Sequence, residues 1–174
     1  VVLRKPVRDP GLLDRLRHRR AQGDLEAYQL LLLRQREHDL DGVSWCWLAL
    51  GSEGRKEQTI STDQDNALIF EVGDGDDVEA ARARMMAFGD DANTWLRDCG
   101  FPLCTGNIMA GQRECCRTPQ EWRSAFGGWV DEATPEGILA FNTHVDFRPL
   151  MCNRELAASL REYVTARARG DQIF

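Results

Sequence analysis

The chain has 174 residues, 43% of them hydrophobic and 29% charged, and its formal net charge at pH 7 is −6. This length and balance predict one compact soluble domain with a small helical appendage. The negative charge argues against an extended nucleic-acid track, which needs a basic surface. No apolar run approaches the roughly 20 residues of a membrane span. The first residues also lack a signal peptide, so we expect a cytoplasmic protein with no nucleic-acid or membrane partner.

The first 41 residues predict a helical segment. Asp9-Pro10 is typical of a helix start and predicts a helix to about residue 20. A second helix is expected over about 25–37, and 39–42 forms a turn. We therefore divide the chain into an N-terminal helical segment, 1–41, and a main domain, 42–174. Because the chain does not begin with Met, we expect it to be an excised piece of a longer protein.

The main domain begins with strand patterns. Residues 43–50 are apolar and aromatic and precede a glycine, which predicts a buried strand. A turn with a short polar helix follows at 51–58, and a second strand is expected over 65–72. Residues 78–98 carry apolar side chains at three- and four-residue spacing, which predicts an amphipathic helix.

Helices and short strands are predicted for the rest of the chain. Residues 101–110 include a short strand, and 119–130 form a helix. Residues 135–141 predict another helix. From Asn142 the residues alternate, with His144, Asp146 and Arg148 on one face, so we predict a strand there. Asn153 caps a final amphipathic helix.

Two carboxylates form the first part of the candidate site. Asp63 and Asp65 open the second predicted strand, and residues i and i+2 of a strand point to one face. Such a pair can share hard divalent cations, which prefer oxygen ligands. Gly51-Ser52 follows the first strand, and a turn entering a helix offers free N–H groups to a phosphate. Together these features predict metal-assisted chemistry on a nucleoside triphosphate, although each alone is common as a plain turn or an acidic strand end.

Three further positions complete the candidate set. Asp146 stands between apolar residues, where a carboxylate is costly unless it is paired or bound to metal. It therefore either completes a three-carboxylate cluster or forms a salt bridge with Arg148. Arg55 and Lys56 follow the Gly-Ser turn and can neutralise phosphate charge; the alternative for either is a solvated helix face.

Cysteine and tryptophan residues are interpreted as structural. The six cysteines include no Cys-x-x-Cys pair, so we expect reduced thiols rather than disulfides or a zinc site. The five tryptophans fall at positions with buried periodicity and are expected in the core. His144 is expected in the core or at its rim.

The same residues carry a family resemblance. Residues 50–69, LGSEGRKEQTISTDQDNALI, resemble the nucleotidyltransferase family catalogued as domain of unknown function 294. These proteins are related to the amino-terminal domain of protein-PII uridylyltransferase, within the DNA polymerase β superfamily. Shorter pieces follow in the same order: GNIMA at 106–110, WR at 122–123 and DFRP at 146–149. The resemblance spans roughly residues 25–168. One departure is LMCN at 150–153, where such proteins commonly continue toward Gly-Asp.

The resemblance implies an α+β (α/β-like) nucleotidyltransferase fold with a small mixed sheet flanked by helices. It implies two Mg²⁺ ions, with Mn²⁺ as the alternative, and transfer of a nucleoside monophosphate with release of pyrophosphate. Asp63, Asp65 and Asp146 would be the catalytic metal ligands, and Gly51 and Ser52 would hold the triphosphate. The implied acceptor is a protein hydroxyl, such as one on a PII-like partner. Regulatory domains are expected on the full-length chain.

Two other functions share these residues. The domain can be a catalytically silent nucleotide-binding module that signals to regulatory domains in a multidomain protein. It can also be a transferase that acts on a small molecule such as an aminoglycoside. The three acidic residues favour the enzyme, because a sensor does not need all of them.

Overall fold

The computed structural model describes residues 37–57, 63–98 and 100–170. The helix predicted over 9–20 and almost all of the helix predicted over 25–37 lie outside these residues. The turn expected at 39–42 is present. The division at residue 41 stays a prediction.

The described residues contain a four-stranded mixed sheet with strand order β3-β2-β1-β4. Its strands are β1 (Ser44–Ala49), β2 (Asn66–Glu71), β3 (Cys116–Arg117) and β4 (Arg148–Cys152). The central strand β1 pairs antiparallel with β2 and with β4, whereas β3 joins β2 in parallel. This arrangement confirms the α+β fold with a mixed sheet.

Helices cover both faces of the sheet. They are α1 (Gly51–Gly54), α2 (Val78–Asp98), α3 (Pro119–Glu132), α4 (Pro135–Val145) and α5 (Arg154–Gly170), together with a 3₁₀ turn over Arg113–Cys115. One core packs α2 against Trp47, Leu68 and Phe70. The second core packs α3, α4 and α5 against the opposite face, where Leu48 and Ile69 project. Successive strand residues face opposite sides, and both faces are covered by apolar cores, so β1 and β2 are buried except at Ser44 and Glu71.

Side-chain caps start three of the helices where the sequence places them. Thr118 forms a capping box with Glu121 at the start of α3. Thr134 accepts a hydrogen bond from the Gly137 N–H at the start of α4. Asn153 accepts one from the Glu155 N–H and caps α5, as predicted. These bonds satisfy N–H groups that a helix start leaves without a partner.

The strand predicted from Asn142 is wrong. Residues 142–145 form the last turn of α4, and the strand begins only at Arg148. His144 is buried because its ring packs, in tilted geometry, against Trp122 and Trp129, with centroid distances of 5.7 and 5.1 Å. The expected core position of His144 is confirmed, but it does not share a strand face with Asp146.

The thiols that the structure describes are free. Cys46, Cys104, Cys115 and Cys116 are buried, and Cys152 is exposed. Burial raises the pKa of Cys46, Cys115 and Cys116 to about 12, so these thiols stay protonated near neutral pH. In the described part of the chain, we find no helix that is long and apolar enough to cross a bilayer.

Candidate functional site

Three segments meet beyond the last residue of β1. Ala49 pairs with Asn66 on one side and with Arg148 on the other. The chain therefore enters β2 and β4 at the same end of the sheet at which it leaves β1. The Leu50 N–H donates to the Asp65 carbonyl at 2.9 Å. This topology brings the Gly51-Ser52 turn, Asp65 and Asp146 to the same end of the strands.

Asp63 and Asp65 converge, as their spacing predicts. One carboxylate oxygen of each, together with the Cys104 sulfur, lies within 4.8 Å of the other two ligand atoms. Burial raises the pKa of Asp65, a hydrogen bond from Cys104 opposes that shift, and the nearby Asp63 charge adds to it. A cation placed between these groups would relieve the repulsion between the two carboxylates.

The residues between and after the two aspartates point the other way. Gln64 and Asn66 are buried, and both contact Asn93 of α2. The Asn93 amide donates to Gln64 Oε1 at 2.8 Å and to Asn66 Oδ1 at 2.9 Å. Asn66 Oδ1 also accepts from the Ala110 N–H at 2.8 Å. This amide network fixes the backbone from which Asp63 and Asp65 project toward the site.

Gly51 lies beside the carboxylate of Asp65. Its φ is +53°, which favours glycine, and an added Cβ would lie 3.4 Å from Asp65 Oδ2. The absence of a side chain keeps the space beside this carboxylate open. Ser52 is the next residue in α1 and is half-buried. The phosphate-binding roles of Gly51 and Ser52 stay predictions.

Asp146 lies between α4 and β4, and its backbone is held from several sides. An added Cβ on Gly54 would lie 1.8 Å from the Asp146 carbonyl oxygen, so α1 packs directly on it. Arg161 of α5 donates to the carbonyl oxygens of Val145 and Phe147 on either side. Asp146 itself is therefore placed by backbone contacts.

The carboxylate of Asp146 forms an ion pair with the guanidinium of Arg55. Arg55 Nη1 donates to Asp146 Oδ2 at 2.8 Å, and Arg55 Nε donates to Glu57 Oε2 at 2.7 Å. These two carboxylates, Glu57 first, raise the pKa of Arg55. The alternative partner Arg148 instead donates to the Glu53 carbonyl at 2.9 Å. Among the described residues, the close ligand cluster holds Asp63, Asp65 and Cys104 without Asp146.

Lys56 follows Arg55 and is exposed, with a φ of +62°. Its N–H donates to the Glu53 carbonyl at 3.1 Å and so closes the short helix α1. Its role in binding phosphate stays a prediction.

The residues present fit a divalent cation. Asp63 and Asp65 supply the oxygen ligands that Mg²⁺ and Mn²⁺ prefer, and such ions usually retain several waters. Two carboxylates with ligand atoms this close repel each other when both are ionised. The cluster is therefore suited to a cation, and Asp146 lies at the same end of the strands.

Four residues of this region are not found by the sequence analysis. Gln64, Asn66 and Asn93 form the supporting network, and Cys104 joins the carboxylates. Asn93 could have been noticed, because it interrupts the apolar face of α2. Cys104 gives no local signal, since it reaches the cluster only through tertiary structure.

Comparison with known proteins identifies one family. A profile of the family described as "Putative nucleotidyltransferase DUF294" matches residues 21–136, two thirds of the chain. No curated protein and no solved structure shows a significant match.

Proposed function

The chain belongs to the nucleotidyltransferase family DUF294, and from this premise we propose that it transfers a nucleoside monophosphate from a nucleoside triphosphate to a hydroxyl acceptor. The proposal is carried by the convergence of Asp63 and Asp65 beside the open space at Gly51. A carboxylate pair next to an unobstructed turn suits a cation-bound triphosphate.

Each residue has a distinct part in this proposal. Asp63 and Asp65 hold the divalent cations, and Asp146 is the third acidic ligand. The turn at Gly51-Ser52, with Lys56, contacts the triphosphate. Two bound Mg²⁺ ions, or Mn²⁺ in their place, would activate the acceptor hydroxyl and stabilise the leaving pyrophosphate.

Arg55 links nucleotide binding to the third acid. In the observed arrangement it neutralises Asp146. A triphosphate competes for the same guanidinium, because phosphate oxygens accept its hydrogen bonds in a bidentate manner. Arg55 would then move to the phosphates and leave Asp146 free to face the cations.

The acceptor is proposed from the resemblance of residues 50–69 to protein-PII uridylyltransferases. We propose a protein hydroxyl, such as one on a PII-like partner, with regulatory domains elsewhere on the full-length chain. The choice of base depends on hydrogen bonds in the nucleotide pocket, which can discriminate strongly between nucleotides.

A silent nucleotide-binding module is the second candidate. The observation that favours it is the ion pair between Arg55 and Asp146, which keeps the third acid engaged. If nucleotide binding does not break this pair, the site binds a triphosphate without transferring it.

One experiment separates the two candidates. The protein is incubated with Mg²⁺, cell lysate and each nucleoside triphosphate labelled at the α-phosphate, and labelled macromolecules and pyrophosphate are measured. Calorimetry measures binding of the same nucleotides. Label transfer with pyrophosphate release supports the enzyme, whereas nucleotide binding without transfer supports the silent module. Neither binding nor transfer would contradict both.

A further inference from the structure

Cys104 occupies a position that oxygen-only metal chemistry does not need. Its sulfur belongs to the same 4.8 Å cluster as the carboxylates of Asp63 and Asp65, and the residue is only 8% exposed. The thiol donates to the Asp65 carboxylate. The sulfur also accepts hydrogen bonds from the N–H groups of Gly106 and Ile108. These contacts hold the Cys104 sulfur in one place beside the two carboxylates.

The backbone fixes the two halves of this cluster to each other. The Gln64 N–H donates to the Pro102 carbonyl at 2.9 Å, and the Asn66 N–H donates to the Ile108 carbonyl at 3.1 Å. Gln64 and Leu103 also form a parallel bridge. These contacts flank Asp65 on one segment and Cys104 on the other, and Asp63 directly precedes Gln64, so the backbone holds the three ligand groups close together.

A sulfur ligand changes which cation such a site prefers. Carboxylates suit Mg²⁺ and Mn²⁺, whereas a thiolate favours softer ions such as Zn²⁺ and Cd²⁺. We propose that Cys104 is a third ligand at the Asp63–Asp65 position, so that a thiophilic divalent cation binds there more tightly than Mg²⁺ and competes with it. The inference rests on the proposed function only in taking the two aspartates as metal ligands.

Binding of a metal ion by Cys104 releases the proton of its thiol. The S–H bond of Cys104 breaks, a sulfur–metal bond forms, and the proton passes to solvent. Asp65 loses the hydrogen bond from the thiol and gains the cation as the partner of its carboxylate. Three protein ligands leave one tetrahedral position for water or a phosphate oxygen. Zn²⁺ held in this way would lack the octahedral geometry that Mg²⁺ needs, so it would inhibit transfer.

The test uses Cd²⁺ as the probe and follows the sulfur-to-cadmium charge-transfer absorption in the ultraviolet. The intact protein is compared with Cys104→Ser and with Cys152→Ser, a control that removes an exposed thiol on β4. The intact protein and the control should show a saturable band. Cys104→Ser should lose that band and bind Cd²⁺ at least about 10-fold more weakly, because losing even the hydrogen-bond partner of a ligand costs roughly 10- to 100-fold.

A second variant keeps the thiol and removes a carboxylate. Asp63→Asn should weaken Cd²⁺ binding by a similar factor, and thermal unfolding establishes that each variant is folded. An unchanged band in Cys104→Ser, or unchanged Cd²⁺ affinity in Asp63→Asn, would overturn the inference. Transfer with Mg²⁺ is measured separately. If the intact protein transfers label with Mg²⁺ but shows no cadmium–sulfur band, the role of Cys104 is overturned and the proposed transfer stands. If it shows the band but transfers no label, the role of Cys104 is supported and the proposed transfer is contradicted.

Discussion

Arg55 and Asp146 form an ion pair, with Nη1 2.8 Å from Oδ2, although 91 positions separate them in the sequence. Their side chains are 42% and 39% exposed. An exposed pair of this kind adds little stability. Its importance is that it occupies both the guanidinium of Arg55 and the carboxylate of Asp146. It joins the residue proposed to bind phosphate to the acid proposed to bind metal.

We expect Arg55→Ala to separate the two affinities. Binding of the nucleoside triphosphate should weaken by about tenfold, because a charge-assisted hydrogen bond is lost. Binding of Mg²⁺ in the absence of nucleotide should strengthen, because Asp146 is released. Calorimetry measures both. Arg97→Ala is the control, since it removes an equally charged, similarly exposed side chain that pairs with Asp98. Loss of both affinities together in Arg55→Ala would contradict the proposed exchange.

Gly54→Ala should destabilise the fold at the site. The new Cβ would lie 1.8 Å from the Asp146 carbonyl oxygen and 3.2 Å from that of Ala49. Neither backbone atom can yield easily, so we expect the free energy of unfolding to fall by about 1–3 kcal/mol. Gly128→Ala is the control, because nothing lies within 4 Å of its Cβ position in α3. That helical substitution should stabilise by roughly 0.5–1 kcal/mol. Urea unfolding measures both variants. Equal unfolding midpoints for Gly54→Ala and the intact protein would show that α1 does not pack as described.

Asn93→Leu should affect both stability and metal binding. It removes donors to Gln64 and Asn66, whose side chains are buried. A buried acceptor that loses its partner costs about 1–3 kcal/mol. Because the same network supports Asp63 and Asp65, Mg²⁺ affinity should fall too. Asn142→Leu, at an exposed position of α4, should change stability by less than about 0.5 kcal/mol. Unchanged Mg²⁺ affinity in folded Asn93→Leu would remove the positioning role.

The sequence predicts the strands and helices that depend on continuous local patterns. The strands β1 and β2 and the helices α2 and α3 lie within one or two residues of their predicted bounds, and α5 begins directly after its predicted cap, Asn153, because apolar periodicity and caps define these elements. The two-residue strand β3 is too short to leave a pattern. Residues 142–145 alternate in polarity yet remain helical, because His144 gains aromatic contacts that no local pattern reveals.

The candidate site also has one part that local spacing predicts and another part that depends on tertiary contacts. The spacing of Asp63 and Asp65 predicts their convergence correctly, since both belong to one extended segment. The distant partners cannot be found by spacing. Cys104 reaches the aspartates through contacts across the segment 102–108, and the pairing of Asp146 with Arg55 depends on how α1 packs against the end of α4.

His144 should make stability depend on pH. Burial, and then the nearby Arg117 charge, lower its pKa from the ordinary 6.5, although a hydrogen bond to Ala140 opposes this. The unfolded chain therefore binds more protons at His144 than the folded chain does just below pH 6.5. Its contribution to stability falls as pH drops from 6.5 toward the lowered folded pKa. His144→Phe should flatten this slope in urea unfolding. A slope identical to that of the intact protein would show that His144 is not responsible.

The central claim is that Asp63 and Asp65 hold the cations for nucleotidyl transfer. Its most direct test is the rate of label transfer from an α-labelled nucleoside triphosphate with Mg²⁺, measured for the intact protein and for Asp65→Asn, with thermal unfolding as the check on folding. We predict that folded Asp65→Asn has no detectable transfer, because a neutral amide replaces a charged cation ligand. Near-normal transfer by the folded variant would contradict the claim.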